Sequence, residues 1–143
     1  MYHSRESTDM ATTSIYPVLM VRDVSATVAF FREHLGFTTT FEADWYVSLQ
    51  HDRWELAVLD AEHETVPEPW RGSAVRGLLV NVEVEDVDAE YRRLVVEGPL
   101  EATLPLRSED FGQRHFIVAG PEGLMVDVIT PIEPAESFAA SFT

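Results

Sequence analysis

Val21-Arg22-Asp23-Val24 and its repeat, Val84-Glu85-Asp86-Val87, are the segments from which the fold of this chain can be read. In both segments a run of strand-forming apolar residues ends at an aspartate, and helical spacing begins immediately afterwards. Each aspartate is expected to be a helix N-cap, because its carboxylate can accept hydrogen bonds from the free amides of the first turn. The chain is therefore predicted to use one strand-helix module twice.

Each half of the chain shows the spacing of an amphipathic helix directly after its aspartate. In the first half, apolar residues recur at intervals of four, three and four residues: Val24, Val28, Phe31 and Leu35. In the second half, they recur at intervals of four and three residues: Val87, Tyr91 and Leu94. Such spacing places apolar side chains on one face of a helix. Gly36 and the Gly98-Pro99 pair are expected to end the two helices.

The remaining apolar segments read as strands and complete two modules of the same plan. Strands are predicted at residues 15–21, 37–42, 45–50 and 54–59, and again at 77–84, 101–106, 113–119 and 124–130. Gly120-Pro121-Glu122-Gly123 is predicted to be the turn before the last strand. We therefore expect an α+β fold of two βαβββ modules, residues 15–60 and 77–131, joined by a linker at 61–76. Residues 1–14 are expected to be a disordered extension and residues 132–143 a C-terminal tail.

The composition excludes several classes of function. The 143 residues contain 25 acidic and 10 basic residues, and the net charge is −15. A surface this acidic repels phosphate backbones and anionic lipids, so neither a nucleic acid nor a membrane is an expected partner. There is no cysteine, which excludes disulfides and thiolate chemistry, and all ten basic residues are arginine. No apolar run approaches the roughly 20 residues of a membrane span, and a cytoplasmic location is expected.

Several motifs together resemble one superfamily. They are the opening Pro17-Val18-Leu19-Met20-Val21-Arg22-Asp23-Val24, Phe30-Phe31 before Leu35-Gly36-Phe37, and Phe111-Gly112-Gln113-Arg114-His115-Phe116 before the glycine-rich turn. Over residues 15–131 the chain resembles the glyoxalase, bleomycin-resistance and extradiol-dioxygenase superfamily, also called the vicinal oxygen chelate proteins. The resemblance implies that each module curls its strands into a half-barrel, with helices on the convex side and a pocket on the concave side. It also implies a homodimer in which two modules complete each site.

The resemblance further implies where a metal would be held. Metal-using members bind a divalent ion with four side chains, from the first and last strands of each module. The corresponding positions here are Tyr16, Val58, Leu79 and Asp127. Only Asp127 is a good ligand, and valine and leucine cannot bind a metal at all. We therefore expect no metal, no cofactor and no catalytic residue. Among the five histidines, only His115 lies in a strand that could face the pocket.

Candidate pocket residues follow from the alternation of side chains along the predicted strands. They are Tyr16, Val18, Trp45, Tyr46, Trp54, Leu56, Val58, Leu79, Asn81, Phe111, His115 and Asp127. Alternation cannot choose between Trp45 and Tyr46, and ordinary core packing is the competing role for each aromatic residue. An inward carboxylate such as Asp127 needs a donor. That donor is either a group on the ligand or an internal arginine such as Arg114.

The absence of the metal ligands makes the chain similar to the bleomycin-resistance branch, whose members are acidic and bind toxic molecules without chemistry. This predicts a dimer that confers antibiotic resistance by sequestering a bulky aromatic or cationic small molecule, such as a natural product. The alternative is a metal-dependent lyase, isomerase or dioxygenase of the same fold that uses Asp127 or His115 with a differently placed metal. A third possibility is a regulatory domain whose pocket is filled by its own side chains.

Overall fold

A computed structural model describes residues 10–142 of the chain. Most of the extension predicted at residues 1–14 therefore lies outside the described residues, and residues 10–14 form neither helix nor strand. In the described part of the chain, no helix is both long enough and apolar enough to cross a bilayer.

The order of helices and strands confirms the α+β fold with two βαβββ modules. The first module contains β1 (Val18–Val21), α1 (Val24–Leu35), β2 (Thr38–Glu42), β3 (Tyr46–His51) and β4 (Trp54–Asp60). The second module contains β5 (Leu79–Glu83), α2 (Val87–Tyr91, continued by a π-helical turn at Arg92–Val96), β6 (Ala102–Glu109), β7 (Gln113–Ala119) and β8 (Met125–Pro131). A 3-10 turn at Glu68–Trp70 lies between the modules, and α3 (Glu136–Ala139) follows them.

Two strand bounds differ by three residues from the sequence-based expectation. The first strand begins at Val18 rather than at residue 15, because Pro17 has no amide to donate to the sheet. The sixth strand continues to Glu109, beyond the apolar segment that was expected to end at Leu106. The added residues are polar, and hydrophobicity alone does not indicate that they belong to a strand.

Each module forms its own mixed four-stranded sheet. The strand orders are β1-β4-β3-β2 and β5-β8-β7-β6, so the two sheets have the same topology. The first strand of each module is parallel to the fourth, and the other pairs are antiparallel. A helix between the first two strands of a module allows this parallel pairing, which a tight turn cannot provide.

The capping pattern predicted from the sequence is confirmed. Asp23 Oδ1 accepts a hydrogen bond from the amide of Ala26 at 2.9 Å, and Asp86 Oδ1 accepts one from the amide of Ala89 at 3.1 Å. Gly36 ends α1 with φ of +74°, in the left-handed region that glycine adopts at little cost. Both helices therefore begin where local sequence signals place them, and α1 also ends at the predicted glycine. The α-helical part of α2 ends at Tyr91, before a π-helical turn that the apolar spacing did not indicate.

The two modules share one hydrophobic core. Leu19, Val47 and Val58 of the first sheet and Phe116 and Val126 of the second belong to a single cluster of buried side chains. Phe31 of α1 and Leu94 of the π-helical turn are buried in the same cluster. Because this core is continuous, the modules do not form separate folding units in the described part of the chain.

A carboxylate from the second module also holds the start of α1. Glu122, in the turn before β8, accepts hydrogen bonds from the amides of Arg22 and Asp23, each at 2.6 Å. Glu122 has φ of +59°, an uncommon conformation for a residue other than glycine. The charge-assisted hydrogen bonds offset this cost and fix the second module against the first.

We expect Glu122→Gln to destabilise the protein by about 1–2 kcal/mol, because the neutral amide replaces a carboxylate that accepts two backbone hydrogen bonds. Urea denaturation followed by circular dichroism measures this loss. Glu101→Gln is the matched control, since Glu101 is exposed and lies outside the helices and strands. Equal stability of the two variants would show that the contact between modules contributes nothing.

Candidate ligand-binding site

The face of the first sheet that is turned away from α1 carries exposed aromatic and apolar side chains. Register places Val18, Ala57 and Ser48 side by side on this face. Alternation along β3 adds Tyr46, and Tyr16, which precedes β1, lies beside the Tyr46 side chain. Tyr16 and Val18 are about two-fifths exposed, at 42% and 40%.

Phe41 joins this surface from β2. It is 54% exposed, it pairs with Ser48, and its ring lies 6.2 Å from the ring of Tyr46. We refer to Tyr16, Val18, Phe41 and Tyr46 as the aromatic face. Burial raises the pKa of Tyr46, a hydrogen bond with Ser48 opposes this, and the nearby Tyr16 adds to the rise. The Tyr46 phenol is therefore neutral at physiological pH and can act as a hydrogen-bond donor.

The corresponding face of the second sheet carries a buried polar cluster. His115 Nδ1 lies 2.8 Å from Asp127 Oδ1, and His115 Nε2 lies 2.8 Å from Glu109 Oε2. Arg107 Nε donates to Glu109 Oε2 at 2.7 Å. His115 and Asp127 are each only 5% exposed. We refer to Arg107, Glu109, His115 and Asp127 as the polar cluster. It extends from the rim of the sheet to its buried centre.

The electrostatics of the polar cluster favour a charged imidazole. Burial by itself lowers the pKa of His115, but hydrogen bonds to Glu109 and Asp127 and the charges of these carboxylates outweigh it, so the pKa is raised. Hydrogen bonds from His115 and Arg107 lower the pKa of Glu109. A protonated imidazole donates from both nitrogens, which is what the two carboxylates require. The two positive and two negative charges then balance inside the cluster.

The residues present do not fit the metal site of the superfamily. Leu79 offers no ligand atom, Val58 is buried in the core, and Asp127 already accepts a hydrogen bond from His115. Both nitrogens of His115 contact carboxylates. Within residues 10–142, no group of three or more His, Cys, Asp or Glu side chains is arranged to hold a metal.

A cavity of about 470 Å³ lies where the start of β4 approaches β5. We call it the inter-module cavity, because both modules contribute to it. Trp54 and Leu56 line it from the first module, and Asn81 and Glu83 line it from the second. Cavities of this volume are large enough for a drug-sized ligand. A second cavity of about 360 Å³ lies beside Phe111 and the C-terminal Phe138.

The structure places ten of the sequence-predicted residues in four parts of the molecule. Tyr16, Val18 and Tyr46 lie on the aromatic face, whereas Leu79, Asn81, His115 and Asp127 lie on the corresponding face of the second sheet. Trp54 and Leu56 line the inter-module cavity together with Asn81. Phe111 lies at the second cavity, with its ring 6.3 Å from that of His115.

One expectation needs correction, and one choice that the sequence left open is decided by the structure. Val58 pairs with Leu19 and Val47 and is fully buried on the helix side of the sheet, so it does not line the pocket. The ring of Trp45 is stacked on His63, with centroids 3.8 Å apart, and it is Tyr46 that occupies the open face.

Arg114 is not the donor to Asp127. It forms an ion pair with Asp88 at 2.8 Å, while His115 contacts Asp127. Sequence reasoning also missed Glu109 and Arg107, because the predicted strand ended before them. Arg107 and Glu109 are two residues apart in β6, so their side chains lie on the same face as His115 of β7. A predicted strand that continued to Glu109 would have indicated this arrangement.

The fold and these two open sheet faces define a two-module member of a known class. The sequence pattern of the Glyoxalase/Bleomycin resistance protein/Dioxygenase superfamily matches residues 13–128, and the chain belongs to this superfamily. It is 23% identical over 130 residues to bleomycin resistance proteins of Geobacillus stearothermophilus and Staphylococcus aureus. The match covers 82% of this chain and 96% of those proteins.

Solved structures share the fold. A glyoxalase/bleomycin resistance protein/dioxygenase from Nocardioides has a TM-score of 0.71 at 23% identity, covering 92% of this chain and 91% of that chain. TnmS3, an antibiotic binding protein from Streptomyces sp. CB03234, has a TM-score of 0.63 at 23% identity, covering 86% and 99%. At this identity the likeness establishes the fold alone.

The polar cluster predicts a pH-dependent contribution to stability. Because the pKa of His115 is raised, this residue contributes stability that is fully present below its ordinary pKa of 6.5. That stability is lost as the pH rises through the raised pKa. Because the pKa of Glu109 is lowered, this residue contributes stability that is fully present above its ordinary pKa of 4.5. That stability is lost as the pH falls through the lowered pKa. We therefore expect the coupling between His115 and Glu109 to be largest between pH 4.5 and 6.5.

A double-mutant cycle with His115→Gln and Glu109→Gln, measured by urea unfolding across this range and up to pH 9, tests the expectation. The coupling should shrink toward the alkaline end. A coupling that stays constant with pH, or grows as pH rises, would contradict the assignment of a charged imidazole.

Proposed function

We propose that this protein is a homodimeric binding protein that sequesters a bulky aromatic or cationic small molecule without a metal and thereby confers resistance to an antibiotic natural product. The observation that carries the proposal is the aromatic face. Tyr16, Val18 and Phe41 are exposed and Tyr46 is half-buried, on a sheet surface that no described helix of its own module covers. Exposed clusters of this kind mark ligand or partner surfaces, because a soluble chain otherwise buries them.

The polar cluster supports binding rather than proton transfer. Both nitrogens of His115 are held by carboxylates, so neither is presented to a substrate as a free base. The cluster therefore serves as a fixed polar floor, and the aromatic face supplies apolar contact area. A few fixed polar groups with apolar walls are the usual composition of a small-molecule site.

The proteins to which this chain is similar also favour a binding function. Related proteins of two bacteria are bleomycin resistance proteins, and one solved structure of this fold is an antibiotic binding protein. The strongly negative net charge of −15 also favours a cationic ligand over an anionic one.

Isothermal titration in the presence of EDTA tests the function directly. We expect saturable binding of bleomycin or of the planar anthracycline doxorubicin, with the ligand recovered unchanged by mass spectrometry. Tyr46→Ala should weaken that binding by about tenfold or more, since truncation of a central aromatic contact commonly costs about 2 kcal/mol. Val96→Ala is the control, because Val96 is exposed on the helical layer. Absence of saturable binding, or recovery of a chemically altered ligand, would refute sequestration.

The proposed homodimer has its own test. A second copy that faces the aromatic face would bury Val18, Phe41 and their neighbours and would close the site from the other side. Light scattering coupled to size-exclusion chromatography should then give twice the mass of the chain at micromolar concentration. Phe41→Asp should shift this equilibrium toward the single chain, whereas Val96→Asp should not. A single-chain mass for the unaltered protein would refute the dimer.

A further inference from the structure

The inter-module cavity combines apolar walls with negative charge. Leu56 and Val82 contribute aliphatic surface, and Trp54 contributes an indole ring that is 56% exposed. Glu55 of the first module and Glu83 of the second also line this cavity. Among the described residues, neither carboxylate has an ion-pair partner within the structure. A ligand here would therefore meet unneutralised negative charge beside an aromatic surface.

Trp54 already holds a planar cation on its ring. The guanidinium carbon of Arg53 lies 4.4 Å from the ring centroid, in the geometry of a cation–π contact. Arg53 does not line the cavity, whereas Trp54 does. Trp54 is 56% exposed, so part of its indole surface is not covered by Arg53 and is suited to a second flat, positively charged group.

The free edge of β5 adds backbone hydrogen-bonding groups. The amide of Val84 donates to the carbonyl of Ile129 in β8, so the alternate residues Asn81 and Glu83 direct their backbone groups away from β8. β5 is the edge strand of its sheet, and both residues line the cavity. A ligand with N–H groups or carbonyls can pair with this edge while its aromatic part contacts Trp54.

We propose that the inter-module cavity is a binding site for a planar aromatic cation, with Trp54 contacting the ring system and Glu55 and Glu83 neutralising the charge. This inference rests on the proposed function and deepens it, because it names the class of ligand and the place of the cationic group. The polar cluster does not fill this role, since its own charges balance. Glu55 and Glu83 are the carboxylates that a ligand would neutralise.

Fluorescence titration with two probes of opposite charge tests the site. Proflavine is a planar aromatic cation, and 1-anilinonaphthalene-8-sulfonate is an aromatic anion. We expect proflavine to bind the unaltered protein with at least about tenfold higher affinity than the anion, because the described residues that line the cavity include two carboxylates, an indole and the His51 imidazole but no arginine. Equal affinity for the two probes would overturn the assignment of charge.

Matched variants locate the site. Glu55→Gln with Glu83→Gln should weaken proflavine binding by about tenfold or more, whereas Glu101→Gln with Glu133→Gln changes the net charge equally and should have less than about a twofold effect. Trp54→Leu should weaken binding, and Trp70→Leu, at another exposed tryptophan, should not. Equal losses in the control variants would show that only the overall negative field attracts the probe and would overturn the proposed site.

The outcomes separate this inference from the proposed function. If Tyr46→Ala abolishes bleomycin or doxorubicin binding while the Glu55 and Glu83 variants bind proflavine normally, the function stands and the cavity assignment fails. If proflavine binding depends on Trp54, Glu55 and Glu83 but neither antibiotic binds, the cavity assignment stands and sequestration of these antibiotics fails.

Discussion

The hydrogen bonds from the amides of Arg22 and Asp23 to the Glu122 carboxylate connect the beginning of the first helix to the last turn of the second module. Asp23 also caps α1, so two acidic side chains satisfy neighbouring amides at one helix terminus. Together with the shared core, this contact joins the two modules. The inter-module cavity depends on how the modules are joined, because β4 and β5 both contribute to its lining.

Charge is distributed unevenly over the open faces of the two sheets. In the polar cluster, each carboxylate is matched by a basic group, which is what allows His115 and Asp127 to be buried. Glu55 and Glu83 remain exposed at the junction of the modules and carry charge that no described basic side chain neutralises. The charges of the polar cluster are therefore compensated within the chain, whereas those of Glu55 and Glu83 are available to a cationic ligand.

The departure from the metal-binding pattern of the superfamily has a physical basis in the second sheet. Asp127 stands at the position that the resemblance assigns to a metal ligand, but here its buried neighbour is the imidazole of His115. The pKa of this imidazole is raised by its two carboxylate neighbours, which favours the positive charge that a buried aspartate needs. The same fold can thus present either a metal or an internal ion pair at this position, and function must be argued from the residues of the site.

The sequence alone determined the features that depend on neighbouring residues. The N-caps at Asp23 and Asp86, the end of α1 at Gly36 and the repeated βαβββ order follow from local hydrogen bonding and from the spacing of apolar side chains. Only the tertiary structure decided which face of β4 is buried, because strand alternation fixes the relative but not the absolute orientation of Val58. It also decided that His115 rather than Arg114 contacts Asp127, and that Trp54 and Glu83 line the same cavity. These contacts join residues far apart in the chain, and strand register and the packing of one module on the other determine them.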